Sequence, residues 1–388
     1  MKRLAIVTTH PIQYNAPLFR LLAASSTVQL KVFYTWEQSS AGAKYDPGFG
    51  REIEWDIPML EGYEYSFVRN TARDPGTHHF NGLINPDLKE KIEEWKPDAI
   101  LIFGWSFKSH LECMRYFHKK VPIIFRGDST LLDERPGVRK LFRRLFLRWV
   151  YRYVDYVLYV GKNNKAYFLK HGLKDNQLFF APHAIDNQRF SEPAELYDRQ
   201  AADWRNELNI KTDDLAILFV GKLEPKKNPA FLLEVLKNIA SDRLKIIIVG
   251  NGILEEQLKI ATAGDPRVIF LDFQNQSKMP VIYRLGDVFI LPSKGPGETW
   301  GLAANEAMAS GRALILSEKV GCTADLIRED GNGIFFNVTE PRKCFEFIDR
   351  LLTNRRILKS MQDYSKEYIK EYSFEHIVKA IEKVCDRA

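Results

Sequence analysis

Short apolar runs of four to six residues recur along this chain, with helical patterns between many of them, and that rhythm limits the fold more than any other feature. The first series is Leu4–Thr8, Leu30–Tyr34, Ala99–Phe103, Ile123–Arg126 and Tyr156–Val160. The second is Ala216–Val220, Leu244–Val249, Val268–Leu271, Val288–Leu291 and Ala313–Leu316. Helices cover both faces of a parallel sheet, so its strands read as continuous apolar runs rather than as alternating ones. Patterns such as Pro229–Ala240 and Trp300–Ala309 supply the helices. Strand and helix alternating in two blocks predict two doubly wound α/β domains. The length agrees, because 388 residues exceed what one ordinary core serves.

The first domain is placed at 1–187 and the second at 188–372, with 373–388 forming a last helix that crosses back to the first domain. The boundary follows AIDNQRF, where Ser191–Arg205 turns polar and carries a proline. A hydrophobic content of 45% with 27% charged residues argues against large disordered regions. The net charge of +6 suits anionic partners but selects none of them. Cys113, Cys322, Cys344 and Cys385 are scattered without CxxC spacing, which argues against a disulfide framework or a zinc site and for a reducing compartment. The opening MKRLAIVTTHPIQYN reads as a first strand, not as a signal peptide, and no apolar stretch approaches 18 residues. A cytoplasmic location is expected.

The densest chemical signal is LPSKGPGETWGLAANEAMASGRALILSEKVG, residues 291–321. A strand ends, a Gly/Pro-rich turn follows, and a helix opens near Trp300. The first amides of a helix lack internal partners and sit at the positive end of its dipole, so they suit a phosphate. Glu298 lies at the mouth of the loop and Glu306 within the helix, a spacing that can offer one carboxylate to each end of an elongated ligand. The plainer reading makes Glu298 a first-turn helix residue and Glu306 a solvated one. The second element is FVGKLEPKKNP, residues 219–229, where Lys222, Lys226 and Lys227 crowd a loop just before a helix. Cations there oppose the helix dipole, which makes sense if an anion sits among them; otherwise the loop is simply basic and solvated.

These ordered motifs resemble those of retaining glycosyltransferases of the GT-B type, family 4. ETWGLAANE, residues 298–306, matches the Glu-x7-Glu signature, and Gly221, Lys222, Leu223 and Lys227 match the Gly-Arg/Lys-Leu-x3-Lys pattern. LDFQNQSKMPVIYRLGDVFILPS, residues 271–293, looks like the stretch before the signature, and APHAIDNQRF, residues 181–190, resembles the usual end of the first domain. The resemblance covers nearly the whole chain and is specific from about residue 181 to 330. It implies a GT-B fold, two Rossmann-like domains facing an interdomain cleft. It also implies that Glu298 contacts the donor sugar and Glu306 the ribose. Lys222 and Lys227 would then hold the diphosphate, Thr299, Gly301 and Leu302 would complete the anion site, and Phe273 and Gln274 would border the base. The chain departs from the pattern at Lys222, where arginine is commoner, at Asn228, and at His183 and Ala184.

The first domain is less legible. In PIIFRGDST, Asp128 is the nearest match to a family histidine, with Arg126 beside it; Asp128 serves a sugar hydroxyl, takes the acceptor proton or caps a turn. His10, Gln13 and Tyr14 in THPIQYNAP line the strand end expected to face the cleft. His78 and His79 form a pair in a loop, read as having no Asp or Glu at metal-like spacing. No cofactor and no metal are expected, because no acidic DxD-type pair stands in a strand-end loop. The expected partners are a UDP-, GDP- or other nucleotide-sugar donor and a glycan or lipid-linked acceptor of cell-surface polysaccharide or lipopolysaccharide synthesis. Nucleic acid is not among them.

Two rivals remain, a nucleotide-sugar 2-epimerase of the same architecture and an anionic-polymer binding module. A dinucleotide oxidoreductase is disfavoured, since no GxGxxG follows either first strand. Between Arg135 and Arg152 there are seven basic residues and no acidic one. At helical period Leu141, Phe142, Leu145, Phe146, Trp149, Val150 and Tyr153 share a face opposite Arg143, Arg144 and Arg148. That face either packs on the core or makes 139–153 a peripheral attachment to anionic lipid at the inner face of the cell membrane.

Overall fold

The computed structural model describes residues 1–37, 44–46, 48–134, 136–329 and 331–387. Its strands are β1 (Lys2–Thr8), β2 (Val28–Tyr34), β3 (Lys44–Asp46), β4 (Arg51–Ile53), β5 (Glu64–Phe67), β6 (Ala99–Phe103), β7 (Ile123–Arg126), β8 (Tyr156–Tyr159), β9 (Leu178–Phe180), β10 (Leu215–Val220), β11 (Leu244–Val249), β12 (Val268–Leu271), β13 (Val288–Leu291), β14 (Ala313–Ser317) and β15 (Gly333–Phe336). All ten expected runs are strands. The chain divides into two compact units. Unit 1 holds 1–42, 58–183 and 374–388, and unit 2 holds 43–57 and 184–373. Placing 43–57 with unit 2 was not part of the sequence reading.

Unit 1 is a seven-stranded parallel sheet in the order β5-β2-β1-β6-β7-β8-β9. Its central strands are buried on both faces; Leu4, Ala5, Ile6 and Val7 of β1 expose nothing to solvent. Strand order reverses between β1 and β6. Side chains at the carboxyl ends of these two strands therefore surround the crevice that such a reversal opens. His10, Gln13 and Tyr14 follow β1 directly. The helix Phe374–Arg387 belongs to this unit, and its Glu382 accepts hydrogen bonds from Ser25 (2.6 Å) and Thr27 (2.7 Å).

Unit 2 is a six-stranded parallel sheet, β12-β11-β10-β13-β14-β15, with its reversal between β10 and β13. Ile217, Leu218, Phe289 and Ile290 fill the centre of the sheet at zero exposure. The two motif loops, 221–229 and 292–301, leave the carboxyl ends of these two neighbouring strands. That topology brings motifs about seventy residues apart in sequence to one place.

The helix Val138–Tyr151 divides the apolar face for which the sequence left two readings open. It buries Leu147, Val150 and Tyr151, whereas Val138, Leu141, Phe142, Leu145 and Phe146 are exposed. The apolar stripe read from periodicity is therefore divided: Val150 is buried and Trp149 and Tyr153 pack against the core, while Leu141, Phe142, Leu145 and Phe146 stay exposed. Arg135 lies outside the described residues. All four cysteines are buried and free, and burial pushes the Cys113 thiol up to about 12.

His110 illustrates how unit 1 treats a buried polar group. Its Nδ1 lies 3.1 Å from the carbonyls of Phe103 and Gly104, and its Nε2 lies 3.0 Å from the Thr35 hydroxyl. Burial lowers its pKa to about 4. The folded value lies below the unfolded one, so the neutral ring favours folding, and this contribution is lost as pH falls from 6.5 towards 4. Urea unfolding should show unit 1 less stable at pH 5 than at pH 7.5 by about 2 kcal/mol from this residue, and His110→Asn should remove that share of the pH dependence.

Candidate functional site

The loops after β10 and β13 are stitched together through their backbones. The Lys294 amide donates to the Lys226 carbonyl (3.0 Å), and the Asn228 side-chain amide donates to the Pro292 carbonyl (3.1 Å). This tie sets Lys227 against Glu298. The Lys227 ammonium donates to Glu298 Oε2 at 3.0 Å, and the Ser293 hydroxyl donates to the same oxygen at 3.2 Å. Glu298 is 8% exposed and the Lys227 side chain 17%. A pair this shielded holds its geometry better than a surface ion pair.

The helix behind this pair runs Leu302–Ala309. Gly301 is its N-cap with φ 93°, a left-handed conformation that favours glycine, and a Cβ there would lie 2.8 Å from Val320. The turn before the helix is fixed by Gly321 N–H to Glu298 O (3.0 Å), Cys322 N–H to Trp300 O (2.9 Å) and Trp300 Nε1 to Asn305 Oδ1 (2.8 Å). Thr299, between them, is half-buried, as is Leu302. The Glu298 carboxylate lies beside both the Lys227 ammonium (3.0 Å) and the N-cap, where a Cβ on Gly301 would fall 3.8 Å from its Oε1; a cation and a helix start near one point suit an anion.

Two details correct the plainer reading of this loop. The helix starts at Leu302, so Glu298 belongs to the loop before it and not to the first turn. Glu306 is buried at 4% exposure and accepts a 2.6 Å hydrogen bond from the Tyr283 hydroxyl, so it is not solvated. The lysines also part company. Lys226 turns towards Glu224 (3.7 Å), while the Lys222 ammonium sits 5.0 Å from the centroid of the Phe49 ring. Phe273 receives a further tie, its amide donating to Asn251 Oδ1 (2.8 Å), and Gln274 donates to the Asp272 carbonyl (3.1 Å).

In unit 1 Arg126 is buried, and its guanidinium donates to the carbonyls of Ala181 (2.8 Å) and Pro182 (2.9 Å). Burial lowers its pKa to about 10, so it stays charged near neutral pH. Two of its donors therefore hold the 181–182 backbone, a structural duty. Asp128 Oδ2 lies 3.9 Å from His183 Nε2, and burial holds His183 below the usual histidine range. His10 packs edge-on against Trp36 at 5.5 Å. Gln13 and Tyr14 are half-buried nearby in sequence.

Asp74 corrects the reading of the histidine pair. Its Oδ2 lies 3.2 Å from His78 Nε2 and 3.4 Å from His79 Nε2, and these three residues form a group of metal-ligand type. The carboxylate stands four residues before His78, a spacing that a turn closes as readily as a helix does.

Sequence reasoning missed His183, Tyr283 and Ser293 as partners. His183 was visible only as a departure from the family pattern. Tyr283 lies in the helix Met279–Leu285, whose every residue is buried, so nothing in its pattern distinguishes it.

The two parallel sheets, each with its reversal point, define the GT-B class of fold. An Anabaena protein, HepE in complex with UDP, superposes with a TM-score of 0.73 at 15% identity, covering 100% of both chains. Residues 200–372 match the family Glycosyl transferases group 1. Among its relatives is an uncharacterized glycosyltransferase of Methanocaldococcus jannaschii, 28% identical over 46% of this chain and 46% of that protein. Another is the lipopolysaccharide 1,2-N-acetylglucosaminetransferase of Salmonella typhimurium, 26% identical over 49% of this chain and 53% of that protein. The chain thus spans about half the length of the curated relatives it matches.

The Tyr283–Glu306 bond has a measurable weight. Tyr283→Phe removes a hydrogen bond to a buried carboxylate, for which a loss of about 1.5–3 kcal/mol is expected in the urea unfolding of unit 2.

Proposed function

We propose that this chain is a retaining, metal-independent glycosyltransferase, moving a sugar from a nucleotide-diphosphate sugar to a glycan or lipid-linked acceptor. The Lys227–Glu298 pair at the start of the 302–309 helix carries this reading. The bond between the anomeric carbon and the phosphate oxygen breaks, its electron pair goes to that oxygen, and the acceptor oxygen bonds to the same face while its proton passes to the departing diphosphate. Lys227, Lys222 and the amides near Gly301 and Leu302 would meet the charge growing on the departing diphosphate. Such preorganised groups strengthen where water is excluded. Glu298 would hold the sugar and Glu306 the ribose, each fixed beforehand by its own hydrogen bond. The matched family, the UDP held by the similarly folded Anabaena protein and the acceptor class named for the Salmonella relative support it.

The test is product formation in excess EDTA, with a panel of nucleotide sugars and glycan or lipid-linked acceptors. Activity should persist, and Lys227→Ala should depress turnover roughly a hundredfold or more. Activity abolished by chelator and restored by magnesium or manganese would refute the mechanism. Turnover of donor without any acceptor would favour an epimerase.

The exposed stripe of the 138–151 helix supports a peripheral membrane position as part of this proposal. Among the described residues no helix is long and apolar enough to cross a membrane. Leu141, Phe142 and Leu145 are each more than half exposed, while Arg139, Lys140, Arg143 and Arg148 stand on the same helix. Anionic lipid satisfies both features, with each basic residue near the surface contributing about 1 kcal/mol. Co-sedimentation with phosphatidylglycerol vesicles should fall sharply in an Arg143/Arg144/Arg148→Glu variant; unchanged binding contradicts this part of the proposal.

A further inference from the structure

The segment 43–57 interrupts unit 1 in sequence yet belongs to unit 2. Its core is the antiparallel ribbon β3–β4, three residues a side. A ribbon this short is not stable alone, so its position depends on what fastens it. The fastenings lie on the loop after β12. The Asn275 side-chain amide donates to the Glu54 carbonyl at 2.5 Å. The Ser277 amide and hydroxyl both donate to the Asp56 carboxylate, the amide at 3.1 Å.

So fastened, the segment sets aromatic side chains against the residues assigned to the nucleotide. The Phe49 ring meets Phe273 edge-on at 4.9 Å, and Trp55 meets Phe273 from another side at 6.4 Å. The same Phe49 ring lies 5.0 Å from the Lys222 ammonium, a cation–π distance. One side chain therefore touches both the lysine on the diphosphate side and the phenylalanine on the base side. Gly48, next to it, leaves no room for a Cβ, which would fall 2.5 Å from Lys222 Nζ. The chain passes flat against the lysine.

We propose that Phe49 and Trp55 are donor-site residues: with Phe273 they form the aromatic wall for the nucleobase of a nucleoside diphosphate, while Gly48 and Phe49 aim the Lys222 ammonium at its phosphates. The assignment rests on the glycosyltransferase reading of unit 2. Bases stack on aromatic faces with little regard to sequence pattern, and a ring beside an ammonium limits where that ammonium can sit. Phe49 and Gly48 act on the phosphates through Lys222 and are positioning residues in that respect.

The experiment is calorimetric titration of the full chain with UDP, GDP, ADP and dTDP, each variant checked by thermal melting. Phe49→Ala should weaken the nucleotide bound by the wild type about tenfold, and Phe49→Tyr should restore most of the loss. Gly48→Ala is the sharper probe. Only the far end of a flexible lysine must move to admit its Cβ, so the melting temperature should hold while affinity falls. Trp55→Ala should weaken binding as well. Wild-type affinity in folded Phe49→Ala, Gly48→Ala and Trp55→Ala proteins would overturn this assignment alone. A wild-type chain that binds none of the four nucleotides would overturn the donor-site reading and this assignment with it.

Discussion

The ion pair between Lys227 and Glu298 is the contact on which the candidate site depends. Neither residue could be set by its own loop. Each loop leaves a central strand at the point where strand order reverses, and cross-loop backbone bonds fix their separation. The carboxylate of the pair stands just before a helix whose N-cap only a residue tolerant of left-handed geometry can fill. Removing either charge leaves the other buried without its partner, a larger loss than the pair itself contributes.

Around this pair the polar groups are fixed in advance rather than gathered by a ligand. Tyr283 holds Glu306, Ser293 shares Glu298, and Trp300 with Asn305 steadies the turn between the two glutamates. Preorganisation of this kind suits a site where charge develops quickly and water is excluded. Unit 1 shows the same economy differently: Arg126 ties down the chain at Ala181 and Pro182, and Asp128 stands beside His183, the last residue before the chain passes to unit 2.

The sheets were legible in the sequence because parallel strands buried on both faces leave uninterrupted apolar runs, and the Glu-x7-Glu and lysine motifs were legible because they follow such runs. The omissions share a cause. The edge strand β5 opens on two exposed residues and buries none of its four fully, β9 has only three residues, and β15 opens on a glycine. The β3–β4 ribbon has three-residue strands and no apolar run, and what places it is hydrogen bonding from Asn275 and Ser277, more than 200 residues away. For the 138–151 helix, periodicity found the apolar side chains but not how much of the stripe the core would cover. Periodicity marks a face, not its partner.

The central claim is that Lys227 is held by Glu298 for a diphosphate. Its most direct measurement is calorimetric binding of UDP and GDP to wild type, Lys227→Met and Glu298→Gln. Lys227→Met should weaken the better of the two by about tenfold or more. Glu298→Gln, which takes away the carboxylate that positions the ammonium, should weaken it by less. Equal nucleotide affinity in wild type and Lys227→Met would contradict the account.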